Sequence, residues 1–194
     1  ILGIEGSKKY TPENVKTSLR YGNGIMICTD ADLDGGHIKG LLLNLFEDQW
    51  NSLSKIPNFI SYLYTPILKA KKGNIVKEFY DEADFREWVQ EIGQKEADTY
   101  KIKYYKGLGS SSGEEFREYF RKMKTVTFEH SGDDCADKIS MAFNKDRADD
   151  RKDWLQTYDR DMGMDLSKST VSFSEFVDRE LIHFSKYDCE RSIP

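Results

Sequence analysis

At 194 residues, 32% of them charged and 38% hydrophobic, the chain has the size of one domain with extensions or of two small ones, enough to bury a core. Its 13% aromatic share argues against disorder, and apolar runs such as Leu41-Leu42-Leu43 are far too short to span a bilayer. The net charge of -5 excludes strong electrostatic binding to DNA by this piece alone, because that affinity scales with the phosphates neutralised.

The acidity is uneven: residues 1–80 hold 10 Lys/Arg against 8 Asp/Glu, and residues 131–194 hold 10 against 15. After a short apolar start, Thr11 as N-cap and Pro12 at the first helical position predict a helix. Gly22-Asn23-Gly24 then bounds the apolar run Ile25-Met26-Ile27-Cys28, a buried strand by pattern, with Cys28 as a small core residue. Three carboxylates follow in alternate positions, Asp30, Asp32 and Asp34, before the bend Gly35-Gly36. Ile38, Leu41, Leu42, Leu45 and Phe46 recur at helical spacing and predict a helix over 36–50. Strand, bend and helix make half of a doubly wound α/β unit.

A second strand is expected over 59–64, ended by Pro66, and then a hairpin in which 67–72 and 75–80 flank Gly73-Asn74. Phe85, Trp88, Val89 and Ile92 share one face of a helix over 81–92. Residues 101–105 are strand-like and enter Lys106-Gly107-Leu108-Gly109, after which Ser112 caps a helix carrying Phe116, Tyr119, Phe120 and Met123. A brief strand at 125–128 precedes helices at 134–143 and 148–158. The polar stretch 159–170 reads as a linker, and Ser172-Phe173-Ser174-Glu175 is a capping box opening a last helix through 184. Cys28, Cys135 and Cys189 are odd in number and far apart, which fits a reducing compartment.

In extended chain Asp30 and Asp32 share one side, with Cα atoms about 7 Å apart. Carboxylates so placed can converge on a hard cation such as Mg²⁺, which keeps several waters and commonly serves phosphate chemistry. A polar turn is the plainer alternative. A calcium loop is rejected: its closing Glu should stand where Leu41 is. A haloacid-dehalogenase-like phosphatase, with Asp30 as nucleophile and Asp32 as acid/base, gains a second acidic cluster at 132–137, yet wants Thr or Val where Asp34 stands. Lys39 and Lys106 can each meet a phosphate, the latter between glycines that permit close backbone approach. Arg151 and Lys152 read equally well as a salt-bridged helix face.

Leu19-Arg20-Tyr21-Gly22, the run from Thr29 to Gly40, and Tyr104-Tyr105-Lys106-Gly107-Leu108-Gly109 resemble the type IIA DNA topoisomerases in order and spacing. So do Asp149-Asp150-Arg151-Lys152-Asp153-Trp154-Leu155, Glu180-Leu181-Ile182-His183-Phe184-Ser185 and Glu190-Arg191-Ser192-Ile193-Pro194. The resemblance covers nearly the whole chain and is to the eukaryotic type, with its two halves fused, rather than to bacterial gyrase subunits. It implies an α/β fold: a Toprim domain, Rossmann-like with a parallel sheet and flanking helices, followed by a mostly helical extension. Residues 1–72 would be the C-terminal part of Toprim, 73–160 its α+β extension, and 161–194 a linker and first helix toward the winged-helix region.

The resemblance further implies Asp30, Asp32 and Asp34 as Mg²⁺ ligands, and Lys39, Lys106, Arg151 and Lys152 as DNA contacts. The nucleophilic Tyr would lie past Pro194, since none of the 11 tyrosines here matches its context. The family's metal-binding Glu belongs to a Glu-Gly-Asp-Ser motif; Glu5-Gly6-Ser7 lacks the Asp, so that role is not carried over to Glu5. The implied partners are double-stranded DNA and the ATPase and winged-helix domains of the same polypeptide, in a homodimeric parent, with no membrane. ATP would be bound and hydrolysed by the parent, outside this chain. The implied location is the nucleus in a cellular eukaryote, or the host cytoplasm or virion if viral. A start at Ile1 rather than Met fits a fragment, expected to be inactive by itself. The phosphatase and a non-catalytic DNA-docking module stand as alternatives.

Overall fold

The computed structural model describes residues 1–6, 8–105, 108–165 and 167–192. Lys106, expected to contact DNA, lies outside the described residues. The first half runs α1 (Val15–Ser18), β1 (Ile25–Ile27), α2 (Leu33–Gln49), α3 (Asn51–Ser54), β2 (Ile60–Leu63), β3 (Leu68–Lys72), β4 (Ile75–Phe79), α4 (Glu82–Ile92) and α5 (Gln94–Ala97). The second runs β5 (Lys101–Tyr104), α6 (Gly113–Lys122), β6 (Thr125–Glu129), α7 (Asp133–Phe143), α8 (Ala148–Gln156), β7 (Thr170–Ser172) and α9 (Phe173–Phe176). The π-helical turn Val177–Leu181 then leads into α10 (Ile182–Ser192).

β1 and β2 pair in parallel, with Ile25 opposite Ile60, and α2 is the main helix of their crossover. β2 and β6 are antiparallel, whereas β6 and β7 are parallel, in the order β1-β2-β6-β7. The sheet is therefore mixed rather than parallel throughout. The cause is the excursion between β2 and β6: the chain builds a second, antiparallel sheet, β4-β3-β5, and returns through α6 running the other way. Gly73, at φ 60°, supplies the left-handed turn of the β3–β4 hairpin.

Each sheet has its own core. Leu68, Ala70, Phe79 and Trp88 fill the smaller one beneath α4. The larger joins Ile27, Leu43 and Phe59 to Phe128, Ile139, Phe173, Phe176 and Leu181, so residues beyond 160 pack into the same core as the first strand. The stretch expected as a linker ends in β7, whose bonds come from β6 rather than from any apolar run of its own.

Thr11 does exchange capping bonds with Asn14, its Oγ1 accepting from the Asn14 N–H at 3.4 Å and its N–H donating to Asn14 Oδ1 at 3.0 Å, but the turn between them delays α1 to Val15. Two local expectations give way to packing. Cys28 is exposed, because β1 ends at Ile27 and is an edge strand. In α2 the buried stripe is Gly36, Lys39, Gly40, Leu43 and Phe46, whereas Ile38, Leu41 and Leu45 are exposed. Gly40 decides this: a Cβ there would lie 2.9 Å from Phe143 Cζ and 3.2 Å from Leu181 Cδ1. Glycine lets the helix approach these neighbours more closely than any side chain would. Among the described residues no helix is long and apolar enough to cross a membrane.

Candidate functional site

Backbone chemistry shapes the acidic bend after β1. Asp32 is the N-cap of α2, in extended conformation, and its Oδ1 accepts from Gly35 N–H at 2.9 Å. A Cβ on Gly35 would collide with the carbonyl oxygen of Asp30, so the chain folds back on itself only with glycine there. Asp34 sits in the first helical turn, where a negative charge is favoured by the helix dipole.

The bend divides its three carboxylates. Asp30 and Asp32 line a cleft of about 750 Å³; Asp34 is not among its lining residues. Asp34 instead lies near α10: the pKa of Arg191 is raised, chiefly by its hydrogen bond from the guanidinium to Asp188 and to a smaller degree by the charge of Asp34. Among the described residues no three His, Cys, Asp or Glu side chains are arranged to hold a metal ion. The gathering of all three aspartates around one cation is thus not what the structure shows. Two aspartates lining one cleft still fit Mg²⁺, which takes one or two carboxylates and completes its shell with waters and phosphate oxygens.

The rest of the cleft comes from distant segments. Tyr64 follows β2, and Tyr80, Asp81, Glu82 and Arg86 come from the second sheet and its helix. The rings of Tyr64 and Tyr80 stack at 5.0 Å, and Lys124 Nζ lies 3.7 Å from the centroid of Tyr80. Burial raises both tyrosine pKa values, that of Tyr80 to about 12, so their hydroxyls stay protonated at neutral pH. The far wall holds Tyr158, Arg160, Met162, Arg179, Glu180 and His183. His183 Nε2 contacts the carbonyl of Met162 at 2.6 Å, and Arg179 donates to the carbonyl of Gly163 at 3.2 Å, which ties the irregular 158–164 stretch to the last helices.

The cations expected to meet DNA are mostly occupied within the fold. Lys39 is buried, forms an ion pair with Glu180, and holds its Nζ 4.3 Å from the centroid of Tyr62. It also lines the cleft that Asp30 and Asp32 line, with its ammonium held by Glu180. Arg151 donates to the carbonyls of Met141 and Asn144 at 3.1 and 2.5 Å, closing the end of α7. Lys152 is exposed and paired with Asp149 at 2.6 Å, the salt-bridged helix face that its pattern allowed. His37 stacks on Phe184 at 4.0 Å. Asp133 and Asp134 stand in the first turn of α7, Asp137 binds Arg147 at 2.7 Å, and none of them lines the cleft. The second acidic cluster that a phosphatase needs is therefore not at the site.

Reasoning from sequence missed the Arg86, Arg160 and Arg179 lining and gave Glu180 no role of its own, although Glu180 heads the Glu180-Leu181-Ile182-His183-Phe184-Ser185 stretch.

The whole chain is 42% identical to the DNA topoisomerase 2 of Plasmodium falciparum over 196 residues, and 39% identical to Homo sapiens DNA topoisomerase 2-alpha over 208. It spans 14% and 13% of the lengths of those two proteins, about one seventh. The crystal structure of the Plasmodium falciparum topoisomerase II DNA-binding, cleavage and re-ligation domain superposes with a TM-score of 0.89 at 42% identity, covering all of this chain and 26% of that one. Residues 63–189 match the family described as the C-terminal associated domain of TOPRIM, and the chain belongs to that family.

Proposed function

We propose that this chain is the segment of a type II DNA topoisomerase that presents Asp30 and Asp32 to a DNA phosphodiester. The observation that carries this reading is that Asp30 and Asp32 line one cleft in a chain homologous along its full length to such enzymes. Asp30 and Asp32 would hold Mg²⁺, which when bound offsets the negative charge that builds on a phosphodiester under attack. Asp32 keeps its place because one carboxylate oxygen is spent on capping α2, leaving the other for this task. Arg86, Arg160 and Arg179 line the same cleft and supply positive charge toward a phosphate backbone, a role in which Lys106 would join them. The nucleophilic tyrosine and a further metal-binding carboxylate would come from outside this segment, as would ATP binding and the dimer contacts. Residues 1–72 then read as the end of the Toprim domain. In a cellular eukaryote the nucleus is the expected location.

The test uses the full-length protein with supercoiled DNA. Asp30→Ala should lower Mg²⁺-dependent covalent DNA cleavage about a hundredfold or more, and abolish ATP-dependent strand passage. Cleavage by Asp30→Ala at the parent rate would overturn the reading.

A further inference from the structure

Lys39 has a side chain only 8% exposed, in a chain whose ammonium groups otherwise sit mostly at the surface. A buried ammonium is costly unless a counter-charge meets it. Glu180 is that counter-charge, and it is 22% exposed on the wall of the cleft that Asp30 and Asp32 also line. The same carboxylate covers the first turn of α2: a Cβ on Gly36 would come within 3.3 Å of Glu180 Oε1. Gly36 in turn donates its N–H to the carbonyl of Asp32 at 3.2 Å. One side chain thus touches the helix start beside the acidic bend and, through Lys39, the helix one turn further on. The backbone that carries it is π-helical over Val177–Leu181, a rare winding that is frequent at functional sites.

We infer that Glu180 is a positioning residue: with Lys39 it clamps the first turn of α2 and so fixes the 30–36 bend in the shape that turns Asp30 and Asp32 toward the cleft. This rests on the function proposed above for those two aspartates. It also gives a role to the Glu180-Leu181-Ile182-His183-Phe184-Ser185 stretch, whose other members His183 and Phe184 hold Met162 and His37.

A pair that served only the fold would be replaceable by a neutral pair of like shape, since such exchanges are often neutral or stabilising. A positioning pair would not. The full-length protein is therefore compared as wild type, Glu180→Gln and the double variant Lys39→Met with Glu180→Gln. Three quantities are read: thermal unfolding, hydrogen exchange of the amides of residues 30–36 in metal-free protein, and the Mg²⁺ concentration giving half-maximal DNA cleavage. Glu180→Gln should melt lower than wild type, and the double variant should recover that loss. In the double variant the amides of the bend should nonetheless exchange faster, and the half-maximal Mg²⁺ concentration should rise roughly tenfold, the usual cost of removing a partner that orients a metal ligand.

A double variant with wild-type exchange in the bend and wild-type Mg²⁺ dependence would overturn the inference, leaving the pair as a fold contact. Should Glu180→Gln fail to fold, the double variant still decides. Asp30→Asn separates the two layers: if it cleaves as wild type does, the reading of the bend itself fails. If it is impaired while the double variant is not, only the role of Glu180 fails.

Discussion

Lys39 in the larger core and Lys69 in the second sheet are buried alike, at 6% and 8% exposure, and each lies over a tyrosine ring, Tyr62 at 4.3 Å and Tyr119 at 4.8 Å. Their counter-charges differ. Lys69 meets Glu78 at 2.9 Å and Glu118 at 3.7 Å, and Lys122 reaches the same two carboxylates at 3.2 and 2.9 Å. Burial pulls the Lys69 pKa down, yet its hydrogen bond to Glu78 and the surrounding charges outweigh that and leave it raised. Two lysines thus share two glutamates, and the loss of one member leaves every remaining charge with a partner. Among the described residues the ion pair of Lys39 is with Glu180 alone. Redundancy marks the sheet that serves as scaffold, and a pair without a spare marks the turn that aims the carboxylates.

The comparison breaks most visibly at Gly40. Valine there would drive carbon into Phe143 and Leu181, which a Cβ alone already approaches to 2.9 and 3.2 Å. The helix would have to lift away from the turn that carries Glu180, parting it from Lys39. Overpacking of this kind costs about 3 kcal/mol at its upper range, read as a lower midpoint of urea unfolding. A midpoint unchanged from wild type would mean the helix is not held closely at all. Lys69→Met should do less. Glu78 keeps Lys122, so the expected loss is about 1 kcal/mol, with the Mg²⁺ dependence of cleavage unmoved. A loss as large as that at Gly40 would show that the network is not redundant.

Much of this was legible from residues, and the failures have physical reasons. The β1–bend–α2 unit, the β3–β4 hairpin and the α4 face of Phe85, Trp88 and Val89 followed from periodicity and from Gly and Asp at the turns. The buried face of α2 did not, because the contact is made by Gly36 and Gly40, which carry no apolar signal, while Ile38, Leu41 and Leu45 carry a strong one facing solvent. β7 was invisible since three residues after a polar stretch become a strand only when β6, over 40 residues earlier, offers its edge. The motif drew attention to three aspartates because alternation in an extended chain put three side chains in play; capping spent one oxygen of Asp32, and Asp34, in the first turn of α2, does not line the cleft. A motif picks out a set of carboxylates before it indicates how the fold divides them.

The smallest expected effect lies in the scaffold, at Glu115. Its carboxylate closes a capping box with Ser112 and also accepts from Lys103 at 2.8 Å and from the Tyr105 hydroxyl. Burial pushes this carboxyl up, but the hydrogen bonds from Lys103, Ser112 and Tyr105 outweigh it and hold the pKa down to about 2, against an ordinary 4.5. Because the folded value is the lower one, ionised Glu115 favours folding above pH 4.5, and that contribution fades as pH falls from 4.5 toward 2. Glu115→Gln can keep the capping hydrogen bonds through its one carbonyl oxygen, but it removes the charge and puts an NH2 where the other oxygen accepts from Lys103 and the Tyr105 hydroxyl, so near neutral pH it should cost about 1 kcal/mol, as expected for a solvent-screened pair. Unfolding midpoints of the variant and the wild type, compared across acid pH, should converge as the carboxyl titrates. A gap that stays constant down to pH 3 would show that shape rather than charge holds β5 to α6, and the scaffold would then owe less to its ion pairs than the acidic bend owes to Lys39 and Glu180.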